Sequence, residues 1–367
     1  MMKIKKMIFT LMVASTVIIT ACGSSASPNP QTNENPVQQN GQVADNQEPI
    51  EEEIPEEIDL QVVRPNEAGQ IMVLMYHHIS EPEAEWVRTP DNFRKDLEVL
   101  YEKGYRPISL KDYVSGNITT EAGFTPVLLT FDDGRQNNFN MIQNEKGEWI
   151  IDTNSAVAIL EEFNNKHPDF PLAATFFVNN NIPFGQEEHL SYKLKYIVDK
   201  GMDIGNHTAT HVDFTNTDAI RIKKEQAEIV ELIGKYLPGY SVDTLALPFG
   251  SRPKDKELYR YLEAGNYNGT EYKNIAILNV GWDPYKSPYH KDFNPLAIHR
   301  IRASELQNYV KGVGMYDWLN QFDTGSRTRY ISDGDPKIVT VPENYKEVLD
   351  SSKIGDREIR TYTIENN

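Results

Sequence analysis

Short apolar runs alternate with amphipathic stretches along residues 69–311. The runs are rich in β-branched and aromatic residues and stop at turn-forming residues, as buried strands do. The predicted strands cover residues 71–76, 105–108, 126–131, 172–178, 202–205, 245–247, 275–280 and 296–301. Strands that alternate with helices favour a parallel sheet, so we expect an α/β fold closed toward a (β/α) barrel.

The stretches between these runs predict helices with one apolar face. The predicted helices begin at Thr89 and Ser109 and lie around residues 156–163, 219–237, 254–264 and 304–322, the last with a helix breaker near Gly312. Further on, residues 312–367 contain short alternating segments, which predict a small β-rich C-terminal appendage.

The first residues of the chain resemble a bacterial lipoprotein signal. A lysine-rich start precedes a mainly apolar stretch, residues 7–21, which is too short for a permanent membrane-spanning helix. The stretch ends at small residues before Cys22, the only cysteine in the chain. We therefore expect residues 1–21 to be a signal peptide and Cys22 to be lipidated, with a plain secretory signal as the alternative.

Residues 22–68 have the composition of a disordered acidic tether. Residues 23–63 contain nine acidic residues and no basic one, in a chain whose formal net charge is −17. Such a segment buries too little apolar surface to fold, and its self-repulsion keeps it extended. The acidity also argues against a nucleic-acid partner, for which a basic stripe would be expected.

Two motifs predict the chemistry. Asp132 and Asp133 directly follow a predicted buried strand, where adjacent carboxylates are costly unless a cation lies close by. His207 and His211 are spaced so that a helical turn would direct both imidazoles to one point. One carboxylate and two imidazoles suit a divalent transition metal with an open site, and the second carboxylate can then transfer protons. These residues predict a metal-assisted hydrolase.

Four further segments extend this pattern. They are Met75-Tyr76-His77-His78-Ile79, Gly205-Asn206-His207, Leu247-Pro248-Phe249-Gly250 and Gly281-Trp282-Asp283. With them, residues 70–302 resemble the polysaccharide deacetylases of carbohydrate esterase family 4, the NodB-homology domain. The resemblance implies a distorted (β/α) barrel, here of seven to eight strands, with Zn²⁺ or another divalent ion. It also implies removal of acetyl groups from N-acetylated or O-acetylated sugars.

The resemblance gives a role to each matching residue. Asp133, His207 and His211 would be the metal ligands. Asp132 would be the general base that takes the proton of the attacking water.

Three other residues take their expected roles from the same resemblance. The backbone N–H of Phe249 would stabilise the oxyanion. Trp282 would form part of the pocket for the acetyl methyl group, with an ordinary core tryptophan as the equal alternative. His299 would protonate the leaving amine; a structural strand histidine is the alternative there, and His290 is a weaker candidate acid.

The chain departs from the family pattern at Ala246, where the family has an arginine that keeps the base ionised. We hypothesise that Arg252, Arg300 or Arg302 takes its place. His77 and His78 close the first strand and either face the mouth of the site or are satisfied in the core.

Together these features predict a lipid-anchored, metal-dependent deacetylase on the extracellular face of a bacterial membrane, with its barrel over residues 69–311. Its substrate would be an N-acetylated polysaccharide, either peptidoglycan or poly-N-acetylglucosamine. The alternative is a non-catalytic lipoprotein that binds wall glycan, because Ala246 leaves Asp132 without its usual cation. A solute-binding lipoprotein of a transporter fits the signal, but it would need two lobes and no metal ligands.

Overall fold

The computed structural model describes residues 58–306 and 310–365. The predicted signal peptide, Cys22 and most of the predicted tether therefore lie outside the described residues. Within the described part of the chain, none of the helices has the length and apolar character needed to cross a membrane.

The fold is built around one sheet of eight parallel strands. The strands are β1 (Met72–Tyr76), β2 (Tyr105–Pro107), β3 (Thr125–Phe131), β4 (Thr175–Val178), β5 (Asp203–Asn206), β6 (Thr244–Ala246), β7 (Ala276–Leu278) and β8 (Ile301–Arg302). Their order is β7-β6-β5-β4-β3-β1-β8, and β2 pairs with the start of β3. The two edges approach each other, since Ile298 bridges to Leu278 while Ile301 pairs with Leu74. The predicted distorted (β/α) barrel is confirmed.

The described residues also form nine α-helices. They are α1 (Leu60–Val63), α2 (Pro90–Glu102), α3 (Leu110–Ser115), α4 (Ala156–Lys166), α5 (Leu190–Asp199), α6 (Ala219–Tyr236), α7 (Arg260–Glu263), α8 (Met315–Asp323) and α9 (Ser351–Ile354). Of these, α2, α4, α5, α6 and α8 pack residues into one apolar core with the strands. The start of α2 is as predicted, because the Thr89 side chain accepts a hydrogen bond from the Asn92 N–H and Pro90 occupies the first turn.

In the described part of the chain, four two-stranded sheets lie outside the barrel. They pair His78–Ile79 with Val87–Arg88, Met141–Gln143 with Trp149–Ile151, Ala264–Tyr267 with Thr270–Lys273, and Ile338–Pro342 with Glu358–Tyr362. The last pair provides the β structure predicted for the C-terminal extension.

An aromatic layer fixes the end of β3. The ring of Phe131 stacks between Tyr76 of β1 and Phe176 of β4, at centroid distances of 5.2 and 4.8 Å. Phe93 of α2 meets the same ring edge-on at 5.7 Å. Because Asp132 directly follows Phe131, this close packing determines where the candidate site begins.

Several predicted boundaries differ from the structure. In its described part, the segment predicted as a helix over 304–322 forms the helix Met315–Asp323. Gly312, near which a helix breaker was predicted, adopts a left-handed φ of 77°, and Gly314 is the N-cap. The strand predicted over 296–301 is interrupted, since Pro295–Ala297 form a 3₁₀ turn.

The folded body also begins before the predicted boundary at residue 69. Leu60–Val63 form a helical turn, and Asn66 and Ala68 are buried. Asn66 bridges to Ile331, so the end of the predicted tether pairs with the C-terminal extension. The acidic composition predicted that residues 22–68 bury too little surface to fold, but the end of this segment is buried against the C-terminal extension.

Candidate metal and catalytic site

The two adjacent aspartates lie at the carboxyl end of β3. The Asp132 N–H donates to the carbonyl of Tyr76 at 3.0 Å, which extends the pairing of β3 with β1. Asp133 then takes a left-handed φ of 72°, and Gly134 follows with a φ of 56°. This turn, which is costly for a non-glycine residue, ends the strand and gives the two carboxylates different neighbours.

Asp133 faces both predicted histidines. Its Oδ1 atom lies 3.6 Å from Nε2 of His207 and 3.5 Å from Nε2 of His211. One ligand atom from each of the three residues lies within 4.8 Å of the other two. Asp133 and His207 are buried and His211 is partly exposed, so the group is open on one side.

The histidine pair is not on a helix, contrary to the sequence prediction. Thr208 and His211 both have left-handed backbones, with φ of 64° and 52°. The turn between the histidines is held by Thr210, whose N–H and hydroxyl each donate to the buried carboxylate of Glu225 at 2.7 Å. A tight turn packed on α6 therefore brings the two imidazoles together.

A hydrogen bond fixes the orientation of His207. Its Nδ1 lies 2.9 Å from the carbonyl oxygen of Ala246, which can only accept. Nδ1 therefore carries a proton, and in the neutral imidazole the free lone pair is on Nε2, which faces Asp133. This is the tautomer that a metal ligand needs, so the donor set fits a divalent ion such as Zn²⁺.

Arg300 compensates the charge of Asp132. Two guanidinium nitrogens of this fully buried arginine donate to the two Asp132 oxygens, each at 2.7 Å. Arg300 is itself held by the carbonyl of Asn279 at 3.1 Å. Burial raises the pKa of Asp132, but the Arg300 guanidinium outweighs this and keeps the pKa well below its ordinary value.

Arg300 is therefore the substitute for the arginine missing at Ala246. The other two candidates are engaged elsewhere. Arg252 donates to the Asn279 side chain at 2.9 Å, and Arg302 pairs with Glu85.

A second arginine was missed by the sequence reasoning. Arg135 donates to Oδ2 of Asp133 at 2.9 and 3.1 Å, opposite the oxygen that faces the histidines. Its position two residues after Asp133 was the available signal. Each aspartate of the pair thus has its own arginine.

His77 faces the site and His78 supports it. The Nε2 atom of His77 lies 3.9 Å from Asp132, and burial lowers the pKa of His77 to about 4. Nδ1 of His78 lies 3.0 Å from the Asn137 side-chain amide, in the loop that follows the aspartates.

His299 is oriented by a carboxylate. Its Nδ1 lies 2.9 Å from Asp283, and this hydrogen bond lowers the pKa of Asp283. Arg300, the next residue in the chain, is hydrogen-bonded to Asp132. The predicted acid His299 is therefore adjacent in sequence to the residue that holds the predicted base. His290, the weaker candidate acid, instead bridges to Leu349 in the C-terminal extension.

Phe249 and Trp282 are both exposed, at 67% and 56%. Phe249 has a left-handed φ of 57°, and its ring lies 4.6 Å from that of His211. The exposure of Trp282 excludes the alternative of an ordinary core tryptophan. The predictions that Phe249 stabilises the oxyanion and that Trp282 lines the acetyl pocket remain predictions.

Comparison with known proteins gives one family match. Residues 120–267 match the family model described as polysaccharide deacetylase. This span contains both aspartates and both histidines and ends before His299 and Arg300. The match supports the presence of a polysaccharide deacetylase domain in the chain. No curated protein matches the chain.

The chain is similar to several solved structures. A polysaccharide deacetylase from Bacillus cereus is 21% identical with a TM-score of 0.50, and the match covers 69% of each chain. A Bacillus anthracis protein described as a putative polysaccharide deacetylase is 22% identical with a TM-score of 0.48, over 65% of this chain and 66% of that one. The Streptococcus pyogenes deacetylase PplD, in complex with acetate, is 18% identical with a TM-score of 0.49, over 69% of this chain and 98% of its own. At 21% identity the Bacillus cereus structure supports the fold alone.

Proposed function

We propose that this protein is a metal-dependent deacetylase that removes acetyl groups from N-acetylated amino sugars of an extracellular polysaccharide. One observation carries the proposal: the two adjacent aspartates have different surroundings. Asp133 faces two imidazoles, whereas Asp132 is held ionised by Arg300. A protein that only bound glycan would need no second, ionised carboxylate beside a metal site.

Asp133, His207 and His211 would hold the ion, Zn²⁺ or another divalent metal. When bound, it supplies Lewis acidity toward the acetyl carbonyl and lowers the pKa of water at the site. Asp132 accepts the proton of the attacking water, for which its low pKa keeps it available. Arg300 occupies one lone pair of each Asp132 oxygen, and the remaining lone pairs can accept that proton.

Two groups complete the reaction. The backbone N–H of Phe249 stabilises the oxyanion of the tetrahedral intermediate. His299, oriented by Asp283, donates a proton to the leaving amine, so that acetate and a free amino sugar result.

The proposed location rests on the N-terminal sequence. Lipidation of Cys22 would anchor the protein to the extracellular face of the bacterial membrane, with the acidic segment as its tether. Replacement Cys22→Ala should move the protein from the membrane fraction to the soluble fraction. A protein that stayed in the membrane fraction would refute the anchor.

Acetate release tests the activity and selects the substrate. The assay compares N-acetylglucosamine oligomers, peptidoglycan and an O-acetylated glycan, each with Zn²⁺ and with chelator. The proposal expects chelator-sensitive release from at least one N-acetylated polymer. Binding of these glycans without release from any of them would favour the non-catalytic alternative.

A further inference from the structure

A tryptophan outside the family-model match lies beside the candidate site. Trp86 is in the loop between β1 and α2, and 40% of its surface is exposed. Its ring centroid is 4.8 Å from the imidazole of His77. Since Nε2 of His77 is 3.9 Å from Asp132, one side chain separates the exposed indole from the candidate base.

The loop that carries Trp86 is held in place. His78–Ile79 pair with Val87–Arg88, and the His78 N–H donates to the carbonyl of Trp86 at 3.1 Å. The guanidinium of Arg302 lies 5.0 Å from the Trp86 ring centroid and also pairs with Glu85. A ring that is fixed before binding loses little conformational entropy when a ligand packs on it.

We propose that Trp86 is a platform for a second sugar ring of the substrate, adjoining the unit that loses its acetyl group. The reacting acetyl group must lie between Asp132 and the group formed by Asp133, His207 and His211. The pyranose ring on Trp86 is assigned to a neighbouring unit because the His77 side chain lies between the indole and Asp132. The indole offers an apolar surface to the C–H groups of that ring, and the ring's hydroxyls stay near polar groups and water.

This proposal rests on the proposed function and deepens it, because it assigns a residue of this chain to the binding of a second unit of the polysaccharide.

Trp149 is a matched control within the same chain. It is 49% exposed, on the hairpin that pairs Met141–Gln143 with Trp149–Ile151. Its ring lies 4.5 Å from His189, which is not a predicted site residue. Replacing either tryptophan with alanine therefore removes a large exposed aromatic side chain. Only Trp86 lies close to Asp132.

The first test measures kcat/KM for N-acetylglucosamine and for its tetramer. Trp86→Ala should lower the ratio of the tetramer value to the monosaccharide value about tenfold, and Trp86→Phe should retain most of it. Trp149→Ala should leave the ratio unchanged. An unchanged ratio in Trp86→Ala, or an equal fall in Trp149→Ala, would overturn the proposal.

The second test does not depend on turnover. Calorimetric titration of the tetramer into Zn²⁺-loaded Asp132→Asn should give a Kd about tenfold lower than for Asp132→Asn with Trp86→Ala. Equal Kd values would overturn the platform. If this difference is found while the wild type releases no acetate, the deacetylase proposal fails and the platform stands.

Discussion

Two of the buried carboxylates are stabilised in opposite ways. Asp132, in the candidate site at the carboxyl end of β3, accepts two hydrogen bonds from the Arg300 guanidinium. Glu67 lies where the N-terminal segment meets the C-terminal extension. Its carboxylate accepts hydrogen bonds from the Tyr330 hydroxyl at 2.8 Å and from the Thr340 N–H at 3.2 Å. Among the described residues, no cation forms an ion pair with Glu67.

The pKa shifts follow from these neighbours. Burial and the nearby charge of Asp333 raise the pKa of Glu67 well above its ordinary value. Burial has the same effect at Asp132, but there Arg300 reverses it. Burial alone therefore does not determine the charge of a carboxyl group; the nearest charged partner does. Arg300 lowers the pKa of Asp132, whereas Glu67, whose pKa is raised, joins two chain segments by accepting hydrogen bonds from Tyr330 and Thr340.

The largest expected effect is on turnover. Asp132→Asn keeps the shape of the side chain but cannot accept the proton, so kcat should fall about 10³-fold. The metal content, measured by atomic absorption, should remain that of the wild type. Glu67→Gln is the matched control and should retain wild-type kcat. Comparable losses in the two variants would remove the distinction between the two carboxylates.

Next in size is the loss of the compensating cation. Arg300→Met leaves Asp132 buried without a partner and should lower the free energy of unfolding by about 3–5 kcal/mol. Urea unfolding at neutral pH measures this. The double variant with Asp132→Asn should recover much of the loss, because no uncompensated charge remains. Arg94→Met removes more exposed ion pairs with Asp91 and Glu162 and should cost less than about 1 kcal/mol.

A smaller effect is expected at the structural carboxyl group. Tyr330→Phe removes the hydroxyl that donates to Glu67 and should destabilise the fold by about 1–2 kcal/mol without changing kcat. Tyr192→Phe, at an exposed position, is the control. No loss of stability in Tyr330→Phe would mean that the Glu67 contact does not join the two segments.

The smallest effect is a change in pH dependence. The pKa of Glu67 is raised in the folded protein, so its contribution to stability is present below the ordinary value of 4.5 and is lost as the pH rises through the folded pKa. The unfolding free energy of the wild type minus that of Glu67→Gln should therefore decline as the pH rises above the ordinary value of 4.5 and through the raised pKa of the folded state. Glu343→Gln, at an exposed position, should give a constant difference. A constant difference for Glu67→Gln would contradict the raised pKa.

The positions of Asp132, Asp133 and His207 at strand ends could be predicted from local sequence. The apolar run that forms β3 and the aspartates that follow it are contiguous, so their order along the chain fixes their place at the strand end. His207 was placed correctly for the same reason, since it directly follows β5.

Contacts between distant segments could not be predicted in this way. Three arginines were equal candidates for Asp132, and only the pairing of β8 with β1 brings Arg300 to it. The spacing of His207 and His211 fits both a helical turn and the irregular turn observed, because the positive φ values of Thr208 and His211 have no sequence signal. The hairpin around Asn268 and Gly269 was overlooked, although Asn-Gly is a strong turn signal.

Metal titration of chelator-stripped protein tests the central claim most directly. Acetate release from N-acetylated glycan is measured as Zn²⁺ is added in steps. The account predicts no release from the stripped protein and a rise to a plateau at one ion per chain, with Asp132→Asn binding the same ion and remaining inactive. Undiminished release from the stripped protein, or no release at any Zn²⁺ concentration, would contradict it.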